Sequence, residues 1–299
     1  MTEDTDGLSR FLLQRAGVRG VRVHLSDAWQ RLRGHAAYPP AATALLGEAI
    51  AAAALLTAHV KVEGRLSIQL QARSGLRTLF AECTAAGTLR GILRQYDEAL
   101  DVPRDLRALG EGAVLAITIE NPPAGPRDSG RYQGLVGLDA ETLAGSLQHY
   151  FHQSEQLRTR LLLAADGDRV AGLMLQTLPG DHGDHGDADG WTRVGALFDT
   201  LRPRELLDWP LDVLLQRLFH DEAVQLTGER ALRFACTCSR ERVLAMLESL
   251  GPQEARAAAE TGAAEVHCEF CGQAYRLPLE EIEQALRRAV LEPPSARLQ

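Results

Sequence analysis

The C-terminal part of the chain contains Cys236-Thr237-Cys238 and Cys268-Glu269-Phe270-Cys271, and these two pairs hold four of its five cysteines. Close cysteine pairs of this kind are typical of structural metal sites, because thiolates are good ligands for soft cations. Four thiolates complete the closed tetrahedron that structural zinc adopts. We therefore predict one bound Zn2+, with Cys236, Cys238, Cys268 and Cys271 as its ligands.

The residues around the two pairs predict a small metal-binding domain. Ser239 is a suitable N-cap for a helix that Gly251 ends, and Gly262 is predicted to end a second, alanine-rich helix. Residues 266–277 suit a hairpin that carries the second cysteine pair. A unit of this size has a marginal hydrophobic core, and a metal commonly makes up the deficit. We assign residues 231–299 to this C-terminal zinc-binding domain.

Residues 1–178 are predicted to form an N-terminal α+β domain of mixed sheet and helices. Apolar residues recur at helical spacing from Pro39 to Val60, which predicts a core-facing helix. Asp139 is predicted to cap a second helix that runs to His152. The remaining pattern is strand-like, with predicted strands at 66–71, 78–83, 87–93 and 113–120 and a hairpin formed by 161–165 and 170–177.

Residues 179–230 are predicted to form a linker that is flexible at first and then helical. The stretch 179–190 is rich in Gly, Asp and His and has no apolar periodicity, so we expect it to be solvated. Pro210 then starts a short helix with a wide apolar stripe. This stripe needs a covering surface that the pattern does not identify; its residues are Leu211, Leu214, Leu215, Leu218 and Phe219.

Composition and charge exclude several classes of function. With 32 basic and 40 acidic residues, the net charge of −8 argues against a nucleic-acid partner. No charge-free apolar run approaches the length of about 18 residues that a membrane span needs. The N-terminus is acidic where a secretory signal is basic and then apolar, so we expect a cytoplasmic protein without a membrane partner. The chain also lacks the GxxxxGK[ST] and HExxH motifs, and we expect it not to be an enzyme.

The same four thiols can respond to an oxidant. Peroxide or hypochlorite can convert each pair into a disulfide and expel the metal. Structural zinc contributes about 10–16 kcal/mol of apparent folding free energy in small zinc modules. A disulfide that closes a loop of three or four residues contributes only about 2 kcal/mol in the chain-entropy model. On these magnitudes, oxidation is expected to unfold the C-terminal domain, and the apolar stripe would be exposed at the same time if it packs with that domain.

Several segments resemble the redox-regulated heat-shock chaperone of 33 kDa, the 33 kDa chaperonin family. The most specific is Phe234-x-Cys236-x-Cys238-Ser239-Arg240-Glu241-Arg242-Val243, followed by Glu265-Val266-x-Cys268-Glu269-Phe270-Cys271 with Tyr275. Three further segments also resemble the family's motifs, in its order and with compatible spacing, and the resemblance covers nearly the whole chain. They are Leu45-Leu46-Gly47-Glu48, Tyr150-Phe151-His152-Gln153-Ser154-Glu155-Gln156, and Glu205-Leu206-Leu207 followed by Arg217-Leu218-Phe219-His220.

This resemblance implies a chaperone that holds unfolding proteins without ATP. In the family, the reduced, zinc-bound form is inactive, and oxidation pairs neighbouring cysteines, releases zinc and unfolds the C-terminal domain and the linker. Carried over by motif, the expected disulfides are Cys236–Cys238 and Cys268–Cys271. The expected partners are unfolding client proteins and, in the oxidised state, a second copy of the chain. As a hypothesis, the apolar stripe contributes to client binding.

Other interpretations of these residues remain open at this point. His267 adjoins Cys268 and can replace a ligand, and His182 and His185 can form a second metal site. Cys83 stands alone in a strand-like run, which is typical of a buried apolar residue. The alternative functional classes are a zinc-ribbon nucleic-acid module and a dithiol oxidoreductase. The first needs a basic face, and the second needs one accessible CxxC on a βαβ frame.

Overall fold

The computed structural model describes residues 6–60, 62–97, 101–123, 125, 129–178 and 187–291. These residues form two compact units, one that ends at Ala235 and one that begins at Cys236. In the larger unit the strands are β1 (Gly7–Leu13), β2 (Val18–Leu25), β3 (Arg65–Gln71), β4 (Leu76–Thr84), β5 (Thr88–Gln95), β6 (Val114–Glu120), β7 (Arg131–Val136), β8 (Thr159–Ala165), β9 (Val170–Thr177), β10 (Val224–Ala231) and β11 (Arg233–Phe234). Its helices are α1 (Asp27–Arg33), α2 (Pro40–His59), α3 (Leu143–Ser154), α4 (Gly190–Phe198), α5 (Pro203–Asp208) and α6 (Leu211–Phe219), with a 3-10 turn at Leu106–Leu109.

Two sheets organise the larger unit. The five-stranded sheet has the order β10-β1-β2-β9-β8, and the six-stranded sheet has the order β11-β5-β4-β3-β6-β7. All neighbouring strands are antiparallel except β11, which runs parallel to β5. The predicted hairpin is confirmed as β8–β9, and Asp166 Oδ1 accepts hydrogen bonds from the amides of Asp168 and Arg169 in its turn. The chain thus has the predicted α+β class.

Helix α2 is the central element of the larger unit and packs against strands of both sheets. Pro40 occupies the first turn, where its missing N–H is not needed. Glycine permits close contact with the sheet, since a Cβ at Gly172 in β9 would lie 2.7 Å from Leu55 Cδ1. Burial of the helix on all sides explains why its apolar residues are not confined to one face.

The length and composition of α2 would also allow it to cross a membrane. Most of this apolar stretch, 72% of it, is buried inside the protein. The sequence predicted no such segment, because Glu48 interrupts the apolar run. The burial of this helix is that of a core helix, and a core helix satisfies the same length and hydropathy criteria as a membrane span.

Strand β9 is buried along almost its whole length because both of its faces are covered. Val170 and Met174 belong to the core that contains α2. Ala171, Leu173 and Leu175 alternate with them and belong to a second core formed with α4, α5 and α6. Successive side chains of a strand point to opposite faces, so this division follows from the strand period of two.

The apolar stripe of α6 belongs to the second core. Leu214 and Phe219 are fully buried there, in the same cluster as Phe11 of β1 and Leu173 of β9. The covering surface that the sequence left open is therefore the five-stranded sheet. Polar contacts also join the helical layer to the sheet, among them the bond from Arg22 Nη2 to the Trp209 carbonyl oxygen at 2.6 Å.

The segment predicted as a linker is structured over most of its described part. Residues 179–186, including His182 and His185, lie outside the described residues. From residue 187 onward the segment contributes α4, α5, α6 and β10 to the larger unit. Arg193 anchors this layer by an ion pair with the buried carboxylate of Glu222, with Nε and Oε1 2.6 Å apart.

The smaller unit contains α7 (Arg240–Leu250), α8 (Pro252–Ala257), β12 (Ala263–His267), β13 (Ala274–Pro278) and α9 (Leu279–Leu291). Strands β12 and β13 form the predicted antiparallel hairpin. Its described core is small and consists of Val243, Leu247, Ala255, Ala259, Ala264, Leu277, Ile282 and Leu286. Three of these eight side chains are single methyl groups, so apolar burial in this unit is modest.

Three sequence predictions of local structure were wrong or incomplete. Thr142, not Asp139, caps α3, because its hydroxyl accepts the hydrogen bond from the Gly145 amide. Helix α8 ends at Ala257, before Gly262, whose φ of 100° places it in the turn that precedes β12. The pattern also missed β1, β2 and β10, which complete the five-stranded sheet.

Substitution of Leu214 with Ala is expected to destabilise the larger unit by about 2–5 kcal/mol, because it leaves a cavity under α6. Urea unfolding of the reduced protein, followed by tryptophan fluorescence, measures this effect, since Trp29, Trp191 and Trp209 all lie in the larger unit. The matched control is Leu226→Ala on β10, where the side chain is 52% exposed and the expected change is about 0.5 kcal/mol or less. Equal effects of the two substitutions would contradict the packing of α6.

Candidate metal centre

The two cysteine pairs are held by different local structures of the smaller unit. Cys236 and Cys238 lie in a segment without regular secondary structure that leads directly into α7. Cys268 and Cys271 lie in the connection between β12 and β13. This connection is closed by a hydrogen bond from the Gly272 amide to the Cys268 carbonyl oxygen at 2.7 Å, and the positive φ of 67° at Gly272 allows the turn.

The structure brings the four sulfur atoms together. Cys236 Sγ lies 3.6 Å from Cys268 Sγ, and Cys238 Sγ lies 3.4 Å from Cys271 Sγ. All four sulfur atoms lie within 4.8 Å of one another. A tetrahedron with metal–sulfur distances of about 2.3 Å has edges of about 3.8 Å, so the cluster has the size of a four-thiolate site. All four cysteines are free thiols and half-buried, and together they can hold one metal ion.

Burial and hydrogen bonds shift the pKa values of the clustered thiols in different directions. Burial opposes ionisation of Cys238, but the hydrogen bond from Tyr275 Oη at 3.1 Å and contacts with the other thiols outweigh it and lower the pKa of Cys238 to about 7. Burial raises the pKa of Cys236 and of Cys271. Donation to Cys238 raises the pKa of Tyr275 to about 12. A metal ion must therefore displace protons from half-buried thiols, and its affinity is expected to fall as the solution is acidified.

Two arginines hold the first cysteine pair in place, and the sequence did not identify this role. Arg242 Nη1 donates to the Thr237 carbonyl oxygen at 2.7 Å, between the two cysteines. Arg240 Nε donates to Glu281 Oε1 of α9 at 2.8 Å. Its Nη2 donates to the Arg276 carbonyl oxygen of β13 at 3.0 Å. The signal available in the sequence was the position of both arginines within four residues of Cys238.

Other candidate ligands from the sequence do not join the cluster. His267 is exposed and lies outside the group of four sulfur atoms. Cys83 is fully buried in β4 of the larger unit, and burial raises the pKa of its thiol to about 11, as expected for a structural cysteine. Side chains of His, Cys, Asp and Glu can share a metal ion when at least three of them lie close together. In the part of the chain that the structure describes, the four cysteines form such a group.

Four of the five stripe residues proposed for client binding are not accessible in this structure, and the fifth, Leu211, is half-buried. Leu214, Leu215, Leu218 and Phe219 are buried between α6 and the five-stranded sheet. Their role in client binding therefore stays a prediction, and it requires separation of α6 from the sheet.

Known proteins resemble this chain over nearly its whole length. Residues 6–278 match the family model described as Hsp33 protein. The chain is 41% identical to the 33 kDa chaperonin of Ectopseudomonas mendocina, over 97% of this chain and 98% of that protein. It is 40% identical to the 33 kDa chaperonin of Nitrosococcus oceani, over 96% of each. The crystal structure of the 33 kDa chaperonin from Thermotoga maritima has the same fold, with a TM-score of 0.79 and 22% identity over 96% of this chain and 99% of that one.

The reduced protein is expected to bind one tetrahedral metal ion through the four thiolates. Titration with Co2+ should therefore produce the absorption bands of a tetrahedral thiolate complex, saturating at one ion per chain. Cys268→Ser should abolish saturation at this stoichiometry, because it removes one of four ligands. Cys83→Ala should leave the titration unchanged, since Cys83 lies in the other unit. A change caused by Cys83→Ala, with none caused by Cys268→Ser, would contradict the assignment.

Ser239 is expected to support the centre by capping α7. Its hydroxyl accepts the Arg242 amide hydrogen bond, and it directly follows Cys238. Ser239→Ala should destabilise the metal-loaded smaller unit by about 1 kcal/mol and speed metal transfer to a chelator. Ser249→Ala, at the exposed C-terminal end of the same helix, is the matched control and should have little effect on either measurement. Identical transfer rates for the two variants would show that the cap does not support the site.

Proposed function

The chain belongs to the Hsp33 family, and from this membership we propose that it is a redox-regulated, ATP-independent chaperone that holds unfolding proteins during oxidative stress. The relatives named 33 kDa chaperonin support a chaperone role. The observation that carries the redox part of the proposal is the cluster of four free thiols within 4.8 Å of one another. In this proposal the metal is Zn2+, and the reduced, zinc-bound state is inactive.

The energetics of the smaller unit support a switch. Its small described core contributes little apolar burial, whereas zinc contributes about 10–16 kcal/mol in comparable modules. Peroxide withdraws two electrons from each pair of thiolates that forms a disulfide, and the oxidised sulfurs no longer serve as thiolate ligands. Loss of the metal therefore removes the largest single contribution to the stability of this unit, and we expect it to unfold.

The pairing of the four cysteines in disulfides decides whether oxidation unfolds or stabilises the smaller unit. The family resemblance implies pairing within each motif, as Cys236–Cys238 and Cys268–Cys271, and such short loops contribute about 2 kcal/mol each. The shortest sulfur distances instead join the two motifs, through residues 32 and 33 positions apart in the chain. Disulfides across these longer loops would contribute about 4 kcal/mol each and would tie the unit together. The proposed switch therefore requires pairing within the motifs.

The proposed partners are unfolding client proteins, and the proposed active form is a homodimer. Client binding would use apolar surface that becomes accessible when the chain rearranges, and the stripe on α6 is the candidate surface. Reversible use of thiols is consistent with a reducing compartment, and we propose a cytoplasmic location. The proposed activity needs neither ATP nor catalysis, because a holding chaperone acts by binding alone.

Two other functions are alternatives to the proposed chaperone activity, and each predicts a different experimental result. A zinc-ribbon nucleic-acid module would show salt-sensitive binding to RNA, but the net charge of −8 disfavours it. A dithiol oxidoreductase would turn over a disulfide substrate. Either result, without suppression of aggregation, would overturn the proposal.

Oxidation with peroxide at mildly elevated temperature is expected to release one zinc ion per chain and to activate the protein. A chromophoric chelator measures the zinc, and light scattering of a heat-denatured client measures the suppression of aggregation. Mass spectrometry should find disulfides within the motifs. The Cys83→Ala variant should behave as the unmodified chain does, because its four clustered thiols are intact. Complete loss of zinc and of all four thiols without suppression of aggregation would contradict the function.

A further inference from the structure

A cavity of about 420 Å³ opens in the larger unit between α2, α3 and the two sheets. Its volume lies in the range of about 300–1,000 Å³ that is usual for small-molecule sites. Much of its wall is apolar, and this part includes Leu56, Leu66, Ile117 and Ile119. A few polar groups lie among these side chains, which is the usual composition of a ligand site.

Arg19 is the cationic group of this cavity. Its Nη2 donates to Gln176 Oε1 at 2.6 Å and lies 3.0 Å from His59 Nε2. Its Nε is buried and has no hydrogen-bond partner, and the same holds for Nδ1 of His59. Among the described residues, no carboxylate lies within ion-pair distance of Arg19. The guanidinium is thus a half-buried cation with no ion-pair partner among the residues that the structure describes.

His59 does not compete with Arg19 for an anion. Burial, together with the adjacent guanidinium, lowers the pKa of His59 to about 3, so its ring is neutral at physiological pH. The ring packs edge-on against Phe151, with centroids 5.9 Å apart. Arg19 therefore supplies the positive charge at this end of the cavity.

At the rim of the cavity, three polar side chains are joined to one another by hydrogen bonds. Tyr132 Oη lies 3.1 Å from Tyr150 Oη, and Tyr150 Oη donates to Glu155 Oε1 at 3.3 Å. Gly134 leaves room for this arrangement, since a Cβ there would lie 2.4 Å from Tyr150 Oη. Glu155 is exposed, and no ion pair joins its carboxylate to Arg19.

From these features we infer that the cavity binds a small ligand that carries a carboxylate on an apolar chain. The carboxylate would accept hydrogen bonds from Arg19, whose planar guanidinium matches the geometry of a carboxylate. The chain would lie against the aliphatic wall. Both free aliphatic acids and peptides that end in apolar residues present this chemistry. The inference concerns only the larger unit and does not depend on the metal centre or on the proposed chaperone activity.

Calorimetry of the reduced, metal-loaded full chain tests this inference with octanoate, 1-octanol and octylamine as probes. Octanoate is expected to bind at one site per chain, more tightly than the alcohol and the amine. Arg19→Gln should weaken octanoate binding about ten- to a hundredfold, because a charge-assisted hydrogen bond is lost, and should leave the alcohol unaffected. Arg204→Gln is the matched control, since this side chain is 92% exposed, and it should leave octanoate binding unchanged.

A second variant covers the case in which Arg19→Gln fails to fold. Ile119→Phe should fill part of the cavity and weaken the binding of both octanoate and octanol, while thermal melting confirms that the protein is folded.

An acetylated tri-leucine peptide, with a free or an amidated C-terminus, distinguishes the two sources of the carboxylate. Tighter binding of the free-acid peptide than of octanoate would assign the site to peptide ends, and the reverse would assign it to aliphatic acids. Absence of saturable binding by either acid, or equal binding of octanoate and octanol, would overturn the inference.

Discussion

Four sulfur atoms within 4.8 Å of one another form the constraint on which the smaller unit depends. As thiolates, they would repel one another at this distance. A cation bound at their centre would offset this repulsion and would join the segment before α7 to the β12–β13 connection. The described apolar core next to them is small, so a bound metal ion would make the largest single contribution to the stability of this unit.

The larger unit is built on a different principle. Helix α2 is surrounded by apolar contacts from both sheets, and its stability comes from burial that does not depend on the four clustered thiols. Under the proposed function, oxidation of the four clustered thiols would therefore unfold the smaller unit, while the core around α2 would remain folded. This separation of stabilising interactions is what a reversible switch requires, because a chain that lost every core on oxidation would aggregate itself.

The sequence predicted the elements in which one physical signal is dominant. The cysteine spacing predicted the cluster of four thiols, and the apolar pattern from Pro39 to Val60 predicted α2, the longest of the described helices. Strand β10 was missed because most of its side chains on both faces are exposed or half-exposed, which leaves no alternation to detect. Asp139 and Thr142 are both good caps by residue type, and only the position of the Gly145 amide selects Thr142. Contacts distant in the chain, such as Arg240 with Glu281, have no local signal at all.

Successive side chains of β9 point to opposite faces of the sheet. This alternation limits the apolar surface that any rearrangement of α4, α5 and α6 can expose. Ala171, Leu173 and Leu175 face α4–α6, whereas Val170 and Met174 face the core of α2. Removal of α4–α6 would thus uncover one apolar face of an intact sheet, and the other face would stay covered. Under the proposed function, a surface of this kind would offer clients a broad apolar area on a rigid support. If clients bind on this face, the stripe of α6 covers the client site in the resting protein, and its burial is then part of the inhibition.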